Sequence, residues 1–261
     1  SFRRSLTIDP EAEIAHSNLA SLLLRLGREE EAEAHYQEAV RINPDFVTAR
    51  VGLGGILRTR GDYLAAAEQF HEAQRVAPEN AVINKNLGNA LLRAGKPDEA
   101  LPYLQKAAAG APRDREILLD IGETLTLLGR IDEGVQTYRN LLDQNKDEGQ
   151  AHYHLGLLLK QKGLEQEALP HYREAERLLR YPAEMKYDYA NLLFRTDHLD
   201  EADQTYRDFL AIGPTVSLAL NNRGLVLINQ GRLAEAVGQF EMALRVAPEN
   251  QVAANNLRLV R

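Results

Sequence analysis

The sequence predicts an all-α chain, a solenoid of short antiparallel helix pairs built on a 34-residue unit. Three observations predict it. The skeleton of AVINKNLGNALLRAGKPDEALPYLQKAAAGAP, at 81–112, returns when the chain is shifted by 34 residues in either direction. Each copy holds two segments of helical length, with a glycine between them in six of the seven. Most copies close on a proline, which cannot continue a helix.

The chain opens on residues 1–12, which read as the C-terminal half of a truncated unit, with Phe2 at position 24 and Pro10 at position 32. Seven tandem units follow over 13–250, starting at Glu13, Val47, Ala81, Arg115, Gly149, Ala183 and Ser217. Residues 251–261 read as the first-helix start of an eighth unit, as in a piece cut from a longer array. Position 8 is Ala20, Gly54, Gly88, Gly122, Gly156, Ala190 and Gly224, and position 20 is Ala in every unit but the fourth, which has Gly134. Small side chains at these two places let paired helices approach closely. Position 11 is always Leu, from Leu23 to Leu227, and position 24 is large: Tyr36, Phe70, Leu104, Tyr138, Tyr172, Tyr206 and Phe240. These large residues are expected to fill the space between one pair and the next. Position 15 is Gly in six units, where a positive φ ends the first helix, with Asp197 as the exception. Pro44, Pro78, Pro112, Pro214 and Pro248 at position 32 end the second helix, and Pro182 stands two residues late. The fourth unit departs most, with Gly134, Leu141 and Lys146, and NKDEG at 145–149 is a candidate kink.

Composition bounds the function. The chain has 261 residues, and repeats bury apolar surface only against neighbours, so one elongated, continuous domain is expected. Cysteine is absent, which excludes disulfides and thiolate chemistry. No segment approaches the ~20 apolar residues of a membrane span. The compartment stays open, with the cytoplasm favoured. A net charge of −7, from 31 basic and 38 acidic residues, argues against general nucleic-acid binding.

The pattern resembles the tetratricopeptide repeat family, in its period and in the small, Gly, Ala, aromatic and Pro positions just given. The large aromatic often found at position 4 in that family is missing here; His16, Arg50, Asn84, Leu118, His152, Lys186 and Leu220 stand there. The resemblance implies a right-handed superhelix whose first helices line a concave groove through positions 2, 5, 6, 9, 12 and 13. Position 6 then carries an inward amide row, Asn18, Asn86, Asn222 and Asn256, interrupted by Gly52, Asp120, His154 and Asp188. That row, with AHSNLA at 15–20, is similar to the asparagine ladder of O-GlcNAc transferases. Each Asn offers donors and an acceptor to a peptide backbone. Asn89 and Asn191 join the same face at position 9.

Charge on the implied face is uneven. Arg25, Arg58, Lys85 and Arg93 make the first three units basic, and Glu116, Asp120 and Glu123 make the fourth acidic. A partner with an acidic stretch followed by a basic one would match this order, chiefly in on-rate and register. Tyr153 and Tyr187, one unit apart at position 5, and Phe194 at position 12 are candidate aromatic anchors, with packing against a neighbouring helix as the alternative. Gly52 and Gly55 face inward and offer a ligand bare backbone. A clamp for the C-terminal carboxylates of heat-shock chaperones matches at Lys85 and Asn89 but fails at Asp120, which would repel them.

No enzyme is legible. HEAQR at 71–75 has Arg75 where a zinc-protease motif needs its second His, and His152 and His154 point to different helix faces. VGLGG at 51–55 has no strand before it, so it makes no phosphate cradle. No cofactor is called for. The reading is a non-catalytic scaffold that binds an extended or helical segment of another protein. The alternatives are a substrate-recruiting arm of a larger O-GlcNAc transferase-like enzyme, and head-to-tail self-association through the chain ends. Near-identical repeats rich in Ala, Glu, Leu and Arg suggest a bacterial source.

Overall fold

The computed structural model describes residues 13–179, 183–212 and 216–261. The half-unit expected at 1–12, the late Pro182 and Pro214 lie outside the described residues. Among the described residues the regular structure is all helical, in fifteen helices. Compactness divides the chain into two units, Ser1–Gln144 and Asn145–Arg261. The division falls at the edge of the NKDEG stretch.

The first body holds four helix pairs: α1 (Glu13–Arg25) with α2 (Glu29–Ile42), α3 (Val47–Thr59) with α4 (Tyr63–Val76), α5 (Ala81–Arg93) with α6 (Pro97–Gly110), and α7 (Arg115–Leu127) with α8 (Ile131–Gln144). The second holds α9 (Gly149–Gln161) with α10 (Glu165–Leu178), α11 (Ala183–Arg195) with α12 (Leu199–Ile212), α13 (Ser217–Asn229) with α14 (Leu233–Val246), and then α15 (Gln251–Val260).

Local chemistry sets the helix ends. Gly27, Gly61, Gly95, Gly129, Gly163 and Gly231 all have φ between +70° and +85°. In each first helix the next residue's N–H then reaches back to the carbonyl of the position-11 Leu, as Arg28 does to Leu23 at 2.9 Å and Arg232 to Leu227 at 2.8 Å. This satisfies a carbonyl that the helix end leaves open. Asp197 adopts the same left-handed conformation at φ 64°. Asp197→Gly is therefore expected to stabilise the protein by about 0.5–1 kcal/mol. Thermal unfolding would show a rise of roughly 1–4 °C; a fall would mean the Asp side chain outweighs the backbone strain. At the other end, Asn80, Asp114 and Asn250 cap α5, α7 and α15, each accepting backbone N–H bonds through its side chain.

The pairs close on the small positions. A Cβ added at Gly54, Gly122 or Gly224 would come within 2.5–2.7 Å of Phe70, Tyr138 or Phe240 respectively. So the position-24 ring seats first on position 8 of its own pair, not only between pairs as expected. Tyr36 does both jobs. Its ring packs where Gly52 of the next pair has no side chain, and a Cβ there would lie 2.3 Å from it. Gly52 is thus glycine for Tyr36, which corrects its reading as backbone bared for a ligand. Gly55 has open space around it.

Candidate functional site

In the first body the predicted face is carried by α1, α3, α5 and α7. Asn18, Arg25 and Arg58 are exposed and have no partner among the described residues; Asn86 is half-buried and likewise unpaired. The other predicted residues bond to one another. Lys85 Nζ donates to Asp114 at 3.1 Å and Glu116 at 3.0 Å, and Asn89 Nδ2 donates to Asp120 Oδ2 at 2.9 Å. Arg93 forms a two-pronged bond to Glu123 at 2.9 and 3.0 Å and approaches Asp120 at 3.5 Å. The basic third repeat and acidic fourth repeat thus neutralise each other across α5 and α7. Arg25 and Arg58 are the cations of the predicted set left for a partner. Burial opposes the Lys85 charge, but the bonds to Glu116 and Asp114 outweigh it and raise its pKa. Asp120 is buried, and that burial pushes its pKa up against the pull of Asn89 and Arg93. It faces its own fold rather than a ligand.

In the second body the amide row becomes a hydrogen-bonded chain. The Tyr206 hydroxyl and Asn222 Nδ2, the latter at 2.9 Å, both donate to Asn191 Oδ1. Asn222 Nδ2 also donates to the Tyr187 hydroxyl at 3.2 Å. Asn221 Nδ2 donates to Asn222 Oδ1 at 3.3 Å, and Asn256 Nδ2 to Asn221 Oδ1 at 2.8 Å. Burial raises the Tyr206 pKa far above neutral pH, so the phenol stays a donor. The row is therefore partly consumed by the fold, which corrects the picture of free amides at Asn222 and Asn256. The Asn191 carboxamide N–H groups carry no bond to a described residue.

The anchors also pack inward. Tyr153 stands edge-on to Tyr172, with ring centroids 5.9 Å apart, and beside His154 at 5.4 Å. Tyr187 packs on Tyr206 at 6.3 Å and Phe209 at 5.5 Å. Both rings thus rest on the second helix of their own pair, and each is half-buried. The position-4 histidines bond likewise within their pairs, His16 to His35 and His152 to His171, Nδ1 to Nδ1 at 2.9 Å. These pairs occupy the place of the missing large aromatic.

What converges on open space is a cleft of about 390 Å³ in the second body, lined by Lys160, Asp188, Asn191, Leu192, Phe194, Arg195 and Asn222. Lys160 and Asp188 form a 3.1 Å ion pair at its side, and Arg195 is held by Glu165. Sequence reasoning named four of these seven and missed Lys160, Leu192 and Arg195. For Lys160 and Arg195 the positions, 12 and 13, carried the signal; Leu192, at position 10, reads as core.

His71 and Glu72 of the HEAQR string are solvent-exposed side chains on α4. Among the described residues no cluster of three His, Cys, Asp or Glu side chains is placed to hold a metal, and no helix is long and apolar enough to cross a membrane.

Helix pairs at this spacing define a helical repeat protein. The chain belongs to the tetratricopeptide repeat family. Models of the tetratricopeptide repeat match residues 14–46, 45–113 and 91–158, and the middle TPR-like domain of cilia and flagella-associated protein 70 matches 159–259. Photosystem I assembly protein Ycf3 of Cyanophora paradoxa is 32% identical, over 42% of this chain and 73% of that protein. Among solved structures, YrrB, described as a TPR protein with an unusual peptide-binding site, is 27% identical with a TM-score of 0.65, over 69% of this chain and 93% of its own. A tetratricopeptide repeat protein from Parabacteroides merdae has the same TM-score at 18% identity, over 95% of this chain and 98% of its own. MamA from Desulfovibrio magneticus scores 0.61 at 24% identity, over 64% and 95%.

Proposed function

We propose that the protein is a non-catalytic interaction module that holds an extended segment of a partner protein against the first helices of its second body. One observation carries this reading. The Asn191 carboxamide, its oxygen fixed by Tyr206 and Asn222, keeps its N–H groups unbonded in a 390 Å³ cleft beside Phe194. A fixed amide donor suits a peptide carbonyl, and an adjacent ring suits one apolar side chain. Preorganisation by the network lowers the entropy lost on binding. The likeness to YrrB, whose description names a peptide-binding site, supports the same class of ligand. Asn18, Asn86, Arg25 and Arg58 would serve a separate stretch of partner on the first body.

A displayed library of random peptides tests this. The parent chain should enrich peptides that bind at micromolar strength, and Phe194→Ala should weaken them at least tenfold, a loss of about 1.4 kcal/mol. Asn191→Ala should act in the same direction and also lower the melting temperature, because the buried Tyr206 hydroxyl loses its acceptor. Equal capture by parent and both variants would remove the cleft from the mechanism.

A further inference from the structure

We infer that the first body carries a second docking groove, on its second-helix side, for a partner peptide presenting a large apolar side chain flanked by lysines or arginines. The groove is a cavity of about 730 Å³ between α4 and α6, and its floor is Leu64, Ala67, Leu87, Leu91 and Tyr103. That volume lies within the range of sites that enclose a ligand group.

The repeat supplies short side chains at this seam. The second helix of one repeat meets the end of the next repeat's first helix through position 21 of the one and position 14 of the other. From α2 to the end of α3 these are Glu33 and Arg60, which form an ion pair, with Arg60 also bonded to Glu29 at 2.7 Å, and a polar cleft of about 520 Å³ remains beside them. From α6 to the end of α7 they are Leu101 and Leu128, both in one apolar cluster. From α4 to the end of α5 they are Ala67 and Ala94. Two alanines put no long side chain across the floor, and Leu64 at the edge is 53% exposed.

The rim sets the charge of the occupant. Glu68, Glu72 and Glu99 stand around the floor, with Lys96 among the lining residues. Lys96 is already held by Glu99 at 2.9 Å, and Glu72 by Arg75 at 3.3 Å, so Glu68 is the rim carboxylate left to set the charge. Glu68 is exposed and has no partner among the described residues. An apolar floor under an acidic rim complements an apolar side chain between cations, and disfavours an acidic or uncharged segment.

The probe is a fluorescein-labelled twelve-residue peptide with Leu at helical spacing among Lys residues. Two comparators replace either every Lys by Glu or every Leu by Ser. Anisotropy should show the Leu/Lys peptide bound and neither comparator. Ala67→Leu fills the floor with the residue that Leu101 and Leu169 place at the same repeat position, and should weaken binding at least tenfold. Leu64→Ser, at an exposed site that cannot upset the core, should weaken it several-fold, and Glu68→Lys should do so while flattening the salt dependence. Phe194→Ala, in the other body, should bind as the parent does. Undiminished binding by Ala67→Leu and Leu64→Ser would overturn the proposal. So would equal binding of the Ser comparator, which would make the effect one of charge alone. A parent dimer in sedimentation that Ala67→Leu dissolves would overturn it too, by making a second copy the occupant.

Discussion

Asp203→Asn is expected to destabilise the protein by about 2–3 kcal/mol at neutral pH. Asp203 is 4% exposed and gathers three guanidinium groups, from Arg207 at 2.6 Å, Arg223 at 2.7 Å and Arg232 at 2.8 Å. Removing the charge leaves those cations facing one another, and Arg223 is itself largely buried. Arg207 and Arg232 keep contact with water, which holds the loss at or below the low end of the range for a broken buried pair. The effect should depend on pH in a definite sense. Burial works against the Asp203 charge, but the bonds from Arg223, Arg232 and Arg207 outweigh it and hold the pKa below the ordinary carboxylate value. Such a group contributes fully above its unfolded pKa of about 3.9 and loses that contribution as pH falls through the lower folded value. Urea unfolding should therefore give a parent–variant gap that is steady from about pH 5 to 8 and closes toward pH 2. A gap that persists unchanged in acid would assign the loss to packing instead of charge.

The helices were legible because the features that make them recur. Leu at position 11 reads as a core residue, and it also supplies the carbonyl that closes the helix end over the following glycine. The glycine positions state their own reason, since they alone tolerate the positive φ that the turn requires. Asp197 shows the limit of that logic, for the backbone keeps its conformation when the residue changes. Gly52 shows a second limit. A small residue on a first helix reads as space for a ligand, and only the Tyr36 ring, reaching over from the preceding pair, reveals that the space is filled.

The candidate site was legible as a set of positions and not as a set of free groups. Whether Asn222 offers its amide to a partner depends on Asn191 and Tyr187, 31 and 35 residues away. Whether Lys85 and Arg93 make the face basic depends on Asp114, Glu116 and Glu123. These partners recur at a spacing near one repeat less three residues: Asn89 to Asp120 and Asn191 to Asn222 are both 31 apart, and Arg93 to Glu123 is 30. Neighbouring first helices meet with that offset. Complementary residues at 28–31 would have flagged the self-pairing, including Lys160 with Asp188.

Phe240→Ala should cost about 3–4 kcal/mol. The ring is fully buried and lies over Gly224, where a Cβ would come within 2.5 Å, so it fills the volume of two side chains. Its removal opens a cavity beside Leu227, Ala236 and Leu257 that backbone movement at a glycine fills only in part. Phe240→Leu should cost roughly 1 kcal/mol, because Leu104 already fills the same place over Gly88. Each repeat rests on its neighbours, so hydrogen exchange should show protection falling most in α13–α15 and least in α1–α4. Uniform loss would mean that the chain opens as one cooperative body. Because α13 carries Asn222, the Ala variant should also weaken peptide capture although Phe240 does not line the cleft, and the Leu variant should retain it. That separation would tie the ordering of the cleft to the packing of the α13–α14 pair, since the ring that fills the pair and the amide at the cleft are held by the same helix.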